Sequence, residues 1–494
     1  MPPRTDRSSR YALKQDENSA EHLEWLRETF DQPWDIVVIG GGNAALVSAL
    51  SATDLGARVL LIERSPWSLR GGNSRHTRNI RCAHDFADDY VTGPYTYDEL
   101  WNDLCGIGSG PSNERLAAFT LEQSQSAPGW MSDHGVGWQP PLTGTLNLGR
   151  TNRFFLGGGK ALINSYHRTA ERAGVRVVYD ATVTRLLVEG DRCSSVVVES
   201  GDREYLAKAR SVVCASGGFE ANIEWLSRYW GSAAENYHIR GPRYNDGLVL
   251  QQLLDAGAAT AGEERGFHAV AVDARSPKFD GGIATRLDSI PFGITVNREG
   301  QRFADEGEDI WPKRYATWGA NLAGQPDQIG YTLWDHQADE LFLPPMYGSL
   351  SAPSISELAV QLGLDPTVLT ETVRVFNEAT APDARTRFSP AGLDGVTTAG
   401  ILPPKTNWAL PLDKPPFHGV PVRPGITFTY MGVAVDESAR IVRQDGSRFE
   451  NVFAAGEIMS GNILTTGYLA GFGMTIGTVW GRVAGREAAQ LATS

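Results

Sequence analysis

Cysteine is scarce in this chain of 494 residues. The four cysteines, Cys82, Cys105, Cys193 and Cys214, lie far apart and form no CxxC or CxxCH motif. Disulfide scaffolds, cysteine-ligated zinc sites, iron–sulfur clusters and attached c-type haem all need clustered cysteines. The sequence therefore predicts no metal site, and it predicts reduced thiols, as in a cytoplasmic protein.

Long apolar runs and an excess of positive charge are also absent. No run reaches the ~18 apolar residues of a membrane span, and the polar N-terminus lacks the apolar core of a signal peptide. We therefore expect no membrane span and a cytoplasmic location. Lysine and arginine number 45 and aspartate and glutamate 58, a net charge of −13. Because nucleic-acid binding needs a basic surface, we expect no nucleic-acid partner.

Glycine, in contrast, is abundant, and the first Gly-rich turn lies in a strand–helix–strand pattern at residues 35–64 (DIVVIGGGNAALVSALSATDLGARVLLIER). A G-x-G-x-x-A turn lets a pyrophosphate approach the backbone, and the following helix N-terminus stabilises its charge. An acid at the end of the second strand can accept hydrogen bonds from a ribose. The unit predicts a bound dinucleotide, held by Gly40, Gly42, Asn43, Ala44, Ala45, Glu63 and Arg64.

Further Gly-rich segments favour FAD over NAD. RGGNS follows the first unit, where the chain must wrap around the middle of the dinucleotide, and AAGE and GFG lie near the C-terminus. A helix N-terminus at a flavin ring would stabilise the negative charge of the reduced ring, whereas simple nicotinamide enzymes need no such return of the chain. The additional expected FAD contacts are Gly71, Gly72, Asn73, Ser74, Val183, Ala215, Ser216, Gly217, Gly456, Glu457, Gly471 and Gly473.

Composition and sequence pattern divide the chain into four segments. We expect a polar arm at residues 1–33 with a short helix from Ser19 to Phe30. The FAD-binding domain is expected in two parts, residues 34–266 and 421–494. Between them, proline and tryptophan become frequent, which indicates an inserted capping domain at residues 267–420.

The order of several motifs resembles the succinate dehydrogenase/fumarate reductase flavoprotein family. These motifs are GGGNAA, RGGNS, ASGGFEAN, VNREGQRFADE, PGITFTYMG and FAAGEIMSGN…GYLAGFGM, and the resemblance covers residues 34–490. Within the family, NSRHTRN and GYLAGFGMTIGTVWGRVAG are most similar to FAD-dependent tricarballylate dehydrogenases. The resemblance implies an α/β fold, with an FAD-binding Rossmann-like domain of the glutathione-reductase type and an inserted α+β capping domain. It also implies transfer of two hydrogens across a C–C bond, one as hydride to flavin N5.

The chain departs from fumarate reductases at expected substrate-binding positions. Their substrate-binding histidine is replaced by Thr429, and their arginine before the Leu-Gly-Gly segment is replaced by Tyr468. The histidine at the beginning of their cap has a counterpart in His268. The shared motifs support the reaction class that the resemblance implies. The replaced residues do not support fumarate itself as the substrate.

Two family features fall on other residues. The proton-donating arginine of fumarate reductases follows a segment that begins here at Arg302, and its position is occupied by Ile310, with Tyr315 close by. Aligned on the RGGNS segment, the position of covalent flavin attachment falls on Asn73 rather than His76. We therefore expect non-covalent FAD, and His76 remains either a flavin or substrate contact or a structural residue.

Arginines are the expected ligands of an acidic substrate, because each guanidinium can hold a carboxylate by two hydrogen bonds. Arg75, Arg78 and Arg81 recur at a spacing of three, and Arg150 and Arg153 flank a turn. The alternative for each is an ordinary solvated surface position. The catalytic and substrate-binding candidates from the sequence are Tyr468, His268, Tyr315, Arg302, Thr429, Arg78 and Arg153.

The sequence thus predicts an FAD-dependent dehydrogenase that desaturates a small, tricarballylate-like polycarboxylate. Tyr468 can be the base only if neighbouring cations lower its pKa, and otherwise His268 or Tyr315 takes the proton. Reduction of an unsaturated acid, a ketosteroid-type dehydrogenase and a non-enzymatic flavin-binding subunit are the alternatives. Lacking haem and iron–sulfur motifs, the chain is expected to need an external electron acceptor, which could be a partner protein, a quinone or oxygen.

Overall fold

The computed structural model describes residues 20–141 and 148–493. Most of the predicted N-terminal arm lies outside these residues, and its helix occupies Ala20–Asp31. The helices are α1 Ala20–Asp31, α2 Asn43–Thr53, α3 Tyr97–Gly106, α4 Glu114–Ser124, α5 Ala127–Asp133, α6 Gly158–Arg172, α7 Ile223–Trp230, α8 Leu248–Asp255, α9 Trp311–Arg314, α10 Trp318–Ala323, α11 Ile355–Leu362, α12 Pro366–Ala379, α13 Ala384–Arg387 and α14 Phe472–Thr493.

The strands of the described residues fall into an eight-stranded, a six-stranded and two smaller sheets. They are β1 Trp34–Ile39, β2 Val59–Ile62, β3 Asn79–Arg81, β4 Trp138–Gln139, β5 Asn152–Phe155, β6 Arg176–Val178, β7 Ala181–Glu189, β8 Arg192–Ser200, β9 Arg203–Cys214, β10 His238–Ile239, β11 Thr260–Ala261, β12 Phe267–Asp273, β13 Ile294–Asn297, β14 Gly330–Asp335, β15 Leu350–Ala352, β16 Phe417–Thr429, β17 Gly432–Val433, β18 Arg440–Val442 and β19 Arg448–Ala454.

The eight-stranded sheet has the parallel centre that the first Gly-rich unit predicts. β1 lies between β2 and β9, parallel to both, and β6 and β19 extend the parallel arrangement on either side. Val37 and Val38 of β1 are fully buried, as expected of a strand that is covered on both faces. This arrangement confirms the α/β class and brings β19, from the C-terminal segment, beside β9.

Helix α14 packs against α2 through small residues at every fourth position. A Cβ atom placed on Gly481 would lie 2.8 Å from the carbonyl oxygen of Ala44, and one on Gly485 would lie 2.2 Å from that of Ser48. Only glycine permits so close an approach of the two backbones. The last helix of the chain therefore holds the first cofactor-binding helix in place.

The six-stranded sheet is built around β16, which pairs with β10, β12, β14 and β15. Helices α11 and α12 cover one side through apolar residues such as Leu358 and Phe376. This sheet includes β10 from before residue 267 and most of β16 from after residue 420. The domain boundaries at residues 266/267 and 420/421 stay a prediction.

No helix within the described residues is both long enough and apolar enough to cross a membrane.

Candidate FAD and substrate site

A cavity of about 1670 Å³, open to solvent, lies at the carboxyl ends of the central parallel strands. This volume includes the solvent at the open mouth of the cavity. Residues from both ends of the chain and from the six-stranded sheet line it. Ligands of open parallel sheets bind at this edge of the sheet.

The first Gly-rich turn forms one wall of the cavity. Gly40 has a φ of +115°, and a Cβ atom there would lie 2.3 Å from the carbonyl oxygen of Ala215. Helix α2 begins at Asn43, whose backbone N–H donates to Ser74 Oγ at 3.1 Å. The start of this helix lines the cavity and supplies the partial positive charge that a pyrophosphate needs.

The end of β2 provides the expected acceptor for a ribose. Glu63 lines the cavity, and burial raises the pKa of its carboxyl group, although the Ser65 N–H that donates to it opposes this effect. Beside it, Arg64 forms an ion pair of 2.6 Å with Asp246. The further predicted contacts that line this part of the cavity are Val183, Ala215, Ser216 and Gly217.

The middle of the cavity carries an amide where covalent flavin attachment would need a nucleophile. Asn73 Nδ2 donates to Glu220 Oε1 and to the carbonyl oxygen of Thr427, both at 2.6 Å. His76 also lines the cavity, but its Nε2 lies 2.5 Å from Asp280 Oδ1. The helix-start turn, the terminal acid and this polar middle fit FAD, which Gly456, Glu457, Gly471 and Gly473 would contact from the C-terminal segment.

Three arginines line the cavity beside the expected flavin position: Arg78, Arg240 and Arg286. Arg240 is 5% exposed, and its Nη1 donates to Thr427 Oγ1 at 2.8 Å. Arg78 has two buried guanidinium nitrogens, Nε and Nη2, that find no hydrogen-bond partner among the described residues. Burial, together with the neighbouring Arg286, lowers the pKa of Arg78 to about 10.

Arg286 is the arginine of this group with a carboxylate partner. Its side chain lies 2.8 Å from that of Asp288, which also accepts from Trp311 Nε1 at 2.7 Å. Burial alone would raise the pKa of Asp288, but Arg286 keeps it below its usual value. The pair is therefore ionic, and it leaves the positive charges of Arg78 and Arg240 without a compensating carboxylate in this part of the cavity.

A histidine and two tyrosines complete this wall. His268 Nε2 lies 3.2 Å from the Tyr315 hydroxyl, and the rings of His268 and Tyr468 are 4.0 Å apart. The guanidinium of Arg286 lies 4.9 Å from the centre of the Tyr315 ring. The hydroxyl of Tyr468 accepts a 3.0 Å hydrogen bond from the N–H of Gly473, at the start of α14.

Burial determines the protonation of this wall. It lowers the pKa of His268 well below the usual value, and Arg240 and Arg286 lower it further, so the imidazole is neutral. Burial raises the pKa of Tyr468, and Tyr315 adds to that effect. The pKa of Tyr315 is also raised by burial, despite the nearby arginines. Both tyrosines therefore hold their protons.

Comparison with known families identifies the cofactor. Residues 35–473 match the family described as FAD binding domain. The chain belongs to this FAD-binding family. FAD is therefore its cofactor, as the motifs predict, and the chain is an FAD-dependent oxidoreductase.

Among characterised relatives, the chain is 27% identical over 478 residues to an NADH:fumarate oxidoreductase of Klebsiella pneumoniae, a match that covers 93% of this chain and 48% of the relative. The chain thus spans about half the length of that relative. It is 25% identical to a probable fumarate reductase of Shewanella frigidimarina, over 92% of this chain and 75% of the relative.

The fold is shared with solved structures. A flavocytochrome c3 fumarate reductase in an open conformation superposes with a TM-score of 0.72 at 20% identity, over 97% of this chain and 82% of the other. A 3-ketosteroid Δ4-(5α)-dehydrogenase of Rhodococcus jostii superposes with a TM-score of 0.68 at 22% identity, over 93% and 97% of the two chains. These matches confirm the flavoprotein fold.

Three substrate-binding candidates from the sequence lie elsewhere in this FAD-binding chain. Arg302 forms an ion pair with Glu306 at 2.5 Å and is not among the cavity-lining residues. Arg153 pairs with Asp88 at 2.6 Å, also outside the lining. Thr429 is buried behind the cavity wall, where its Oγ1 accepts from the N–H of Phe219 at 3.1 Å.

Two of the predicted FAD contacts have packing positions instead. Ala45 is fully buried inside the first turn of α2, which suits its predicted role of letting helix and strand approach closely. Gly71 has a φ of +106° and lies against Ile163 of α6. Neither is among the residues that line the cavity.

Sequence reasoning missed Arg240 and Arg286. Arg240 directly follows β10, a strand of two residues, and Arg286 lies in a loop after β12. Neither stands in a recognisable motif. The only available signal was the Arg-Gly-Pro-Arg segment that begins at Arg240, which is too short to indicate a site.

Proposed function

We propose that this oxidoreductase desaturates a C–C bond of a small polycarboxylate, with tricarballylate-like acids as the leading candidates. The observation that carries the proposal is the charge of the substrate side of the cavity. Arg78, Arg240 and Arg286 bring three positive charges, and Asp288 compensates one of them. Burying uncompensated cations is costly, so a ligand with two carboxylates fits this wall better than a neutral one.

Arg78 and Arg240 are the proposed carboxylate-binding residues. Two guanidinium nitrogens of Arg78 lack partners, and a carboxylate can accept from both at once. Arg240 is oriented by Thr427 and by the carbonyl oxygen of Gly282, which receives its Nε–H at 3.1 Å. With one substrate carboxylate on each of these two arginines, the C–C bond between the carboxylates has a fixed position.

Tyr315 and His268 form the proposed proton-accepting pair. Their 3.2 Å hydrogen bond lets the Tyr315 oxygen take a proton from the substrate carbon while its own proton passes to His268 Nε2. The negative charge of a bound polycarboxylate offsets the arginines that lower the pKa of His268. When bound, FAD supplies the acceptor for the hydride.

Tyr468 fits an orienting role better than the role of base. Burial raises the pKa of both tyrosines, but Tyr315, unlike Tyr468, hydrogen-bonds to His268, which can take its proton. Because its oxygen already accepts from the Gly473 N–H, its own O–H is available to donate to a substrate oxygen.

The reverse reaction, reduction of an unsaturated acid, is the second candidate. It is favoured by the named activities of the two relatives, both of which concern fumarate. The same arginines and the same proton-carrying pair would serve either direction, because a residue that accepts a proton in one direction donates it in the other. In both cases we propose an external electron partner, which is a protein, a quinone or oxygen.

A ketosteroid-type reaction is supported only by Tyr315 and Tyr468 at the substrate wall and by a shared fold. Arg78 and Arg240 disfavour it, because a neutral steroid would leave their charges uncompensated. A purely structural flavin subunit would not need a histidine–tyrosine pair at this wall.

An anaerobic screen that follows the visible flavin absorbance tests the proposal and its direction. Oxidised holoenzyme is mixed with saturated di- and tricarboxylates, and dithionite-reduced holoenzyme, freed of excess dithionite, is mixed with their unsaturated counterparts. Bleaching by a saturated polycarboxylate supports desaturation, and recolouring by an unsaturated acid without bleaching supports reduction. Bleaching by a neutral ketosteroid alone would overturn the proposal.

A further inference from the structure

Two glutamates from separate Gly-rich segments meet beneath the cavity. Glu220 belongs to the ASGGFEAN segment after β9, and Glu457 to the AAGE segment after β19. Glu220 is 0% exposed and Glu457 9% exposed. The proposed hydrogen transfer uses neither of them.

Neutral groups surround the pair. Glu220 Oε1 accepts from Asn73 Nδ2 at 2.6 Å and from Asn245 Nδ2 at 2.7 Å, and Glu457 Oε1 accepts from the Thr429 N–H at 2.9 Å. Among the described residues, the side-chain hydrogen bonds to the pair come from amide, hydroxyl and backbone donors rather than from cations. The two carboxyl groups also hydrogen-bond to each other.

A glycine leaves the space that this contact needs. A Cβ atom on Gly218 would lie 2.3 Å from Glu457 Oε1 and 2.9 Å from Glu220 Oε2. Any other residue would push the two carboxyl groups apart. The backbone next to the FAD cavity is thus shaped around the pair.

Two buried carboxyl groups in contact cannot both be ionised without strong repulsion. Burial raises the pKa of both, and the neighbouring Glu220 raises the pKa of Glu457 further. If both were ionised, Glu220 Oε2 would be left without a hydrogen-bond partner. At least one of the two carboxyl groups is therefore protonated.

Glu457 lines the FAD cavity, together with Gly456 and Asn73. The other titratable group that responds to it is Tyr468, whose pKa Glu457 helps to raise. Arg240 also lines the cavity and is bound to Thr427 Oγ1, whereas the carbonyl oxygen of Thr427 accepts from Asn73. Because Glu457 lines the same cavity, a negative charge that appears there would act on the pair as well as on the arginines of the substrate wall.

We propose that Glu220 and Glu457 form a proton-storage site that binds a second proton when the bound FAD accepts two electrons. The hydride brings two electrons and a proton to the ring, which leaves one added negative charge beside the pair. A proton from the medium then converts the singly protonated pair into two neutral carboxyl groups. The added charge is thereby offset by a proton that the protein itself holds.

Proton uptake on photoreduction tests this proposal without any substrate, so its outcome is independent of the proposed reaction. Holoenzyme in weakly buffered solution at neutral pH is photoreduced anaerobically, and a pH indicator measures the protons taken up. We expect wild-type holoenzyme to take up about one more proton per FAD than Glu220→Gln holoenzyme, in which the same bound ring is reduced without the paired carboxyl groups. Equal uptake would overturn the proposal.

Variants locate the extra proton. Glu220→Gln keeps an oxygen for Asn73 and Asn245 and should lower the uptake by about one proton per FAD. Glu224→Gln, four residues along the chain and 89% exposed, should retain wild-type uptake. Unchanged uptake in Glu220→Gln would contradict the assignment.

If Glu220→Gln binds no FAD, infrared difference spectra of the wild type and of Glu457→Gln test the proposal instead. Reduction should produce the carbonyl stretch of a newly protonated carboxylic acid, and the Glu457→Gln variant should lack it. A wild-type spectrum without that band would overturn the proposal.

Discussion

Arg78 carries two buried guanidinium nitrogens without partners, so its role can be tested at a single residue. Removing one side of a buried charge pair costs about 2 kcal/mol or more, which is a factor of about 30 in Kd. We therefore expect Arg78→Ala to bind an active polycarboxylate at least about 30-fold more weakly while retaining FAD. Titration of the holoenzyme's flavin spectrum with substrate measures the effect.

Arg153→Ala is the matched control. Arg153 pairs with Asp88, which is 43% exposed, and such partly exposed pairs contribute only about 0–1 kcal/mol. Its Kd should remain within about fivefold of the wild-type value. Weak binding by Arg153→Ala together with normal binding by Arg78→Ala would place the substrate elsewhere.

Tyr315 is the residue on which the proton-transfer proposal depends. Tyr315→Phe removes the hydroxyl that shares a hydrogen bond with His268 and keeps the ring beneath Arg286. We expect flavin reduction by saturating substrate to slow by about 100-fold or more, as is typical when a positioned base is lost. Stopped-flow absorbance measures this rate.

Substitutions of two further tyrosines serve as comparisons for Tyr315→Phe. Tyr347→Phe, at a site 41% exposed, should reduce flavin at the wild-type rate. Tyr468→Phe should raise the apparent substrate constant more than it lowers the limiting rate. If Tyr468→Phe alone abolishes reduction, then Tyr468 is the base and our assignment is wrong.

Site residues that stand inside motifs are easier to predict from the sequence than site residues that loops bring to the cavity. Gly40, Asn73 and Glu457 stand in short patterns whose spacing follows from contact with a dinucleotide, and all three line the cavity. From the sequence, Arg302 and Arg153 are equally plausible ligands of an anionic substrate, but in the structure they pair with Glu306 and Asp88. Arg240 and Arg286 reach the cavity through folding of distant segments, which no local pattern encodes.

At the scale of elements, the contact between α2 and α14 holds the cofactor turn. Gly485→Ala would place a Cβ atom 2.2 Å from the Ser48 carbonyl oxygen, so the helices must separate. Such overpacking costs about 1–3 kcal/mol. We expect a lower free energy of unfolding and weaker FAD binding, measured by chemical denaturation and by FAD titration of the apoprotein.

Gly129→Ala in α5 is the control, because nothing lies within 4 Å of a Cβ atom placed there. Alanine is favoured over glycine in a helix by up to about 1 kcal/mol, so this variant should be as stable as the wild type or more stable. Equal stability of both variants would contradict the close packing of α2 and α14.

The six-stranded sheet should weaken in acid because of its buried histidines. Burial, with Lys278 and Arg423, lowers the pKa of His238 to about 4, and burial lowers that of His268 further. As the pH falls below about 6.5, these histidines bind protons in the unfolded chain but not in the folded chain, so the free energy of unfolding decreases. For His238 this loss continues to about pH 4.

The free energy of unfolding should fall by up to about 1.4 kcal/mol per pH unit for each such histidine. His238→Gln should flatten the dependence of the unfolding free energy on pH between 6.5 and 4, and His336→Gln, at a site 68% exposed, should not. Urea denaturation at a series of pH values measures both. A His238→Gln curve as steep as the wild-type curve would contradict the assignment.

Elements with strong local patterns could be predicted from the sequence. The βαβ unit at β1, α2 and β2 and the long C-terminal helix are present as expected. In contrast, β10 has only two residues and gains its strand geometry from pairing with β16. The six-stranded sheet joins segments from across the chain, so composition alone could not define its members.

At the scale of the whole molecule, FAD connects the two ends of the chain. Asn73, which the alignment on RGGNS places at the position of covalent attachment, is an amide and offers no nucleophile to the flavin. We expect acid or heat to release FAD from the polypeptide, and added FAD to raise the Tm of the apoprotein. Yellow colour that stays with the denatured chain would contradict non-covalent binding.

Substrate charge tests the central claim most directly. Anaerobic stopped-flow mixing compares an active polycarboxylate with its dimethyl ester and with a neutral ketosteroid, and follows bleaching of the flavin. Because Arg78 and Arg240 need anionic partners, we predict fast bleaching by the acid and, at equal concentration, at least about 100-fold slower bleaching by the ester. Bleaching by the ester or the steroid at the rate of the acid would contradict the account.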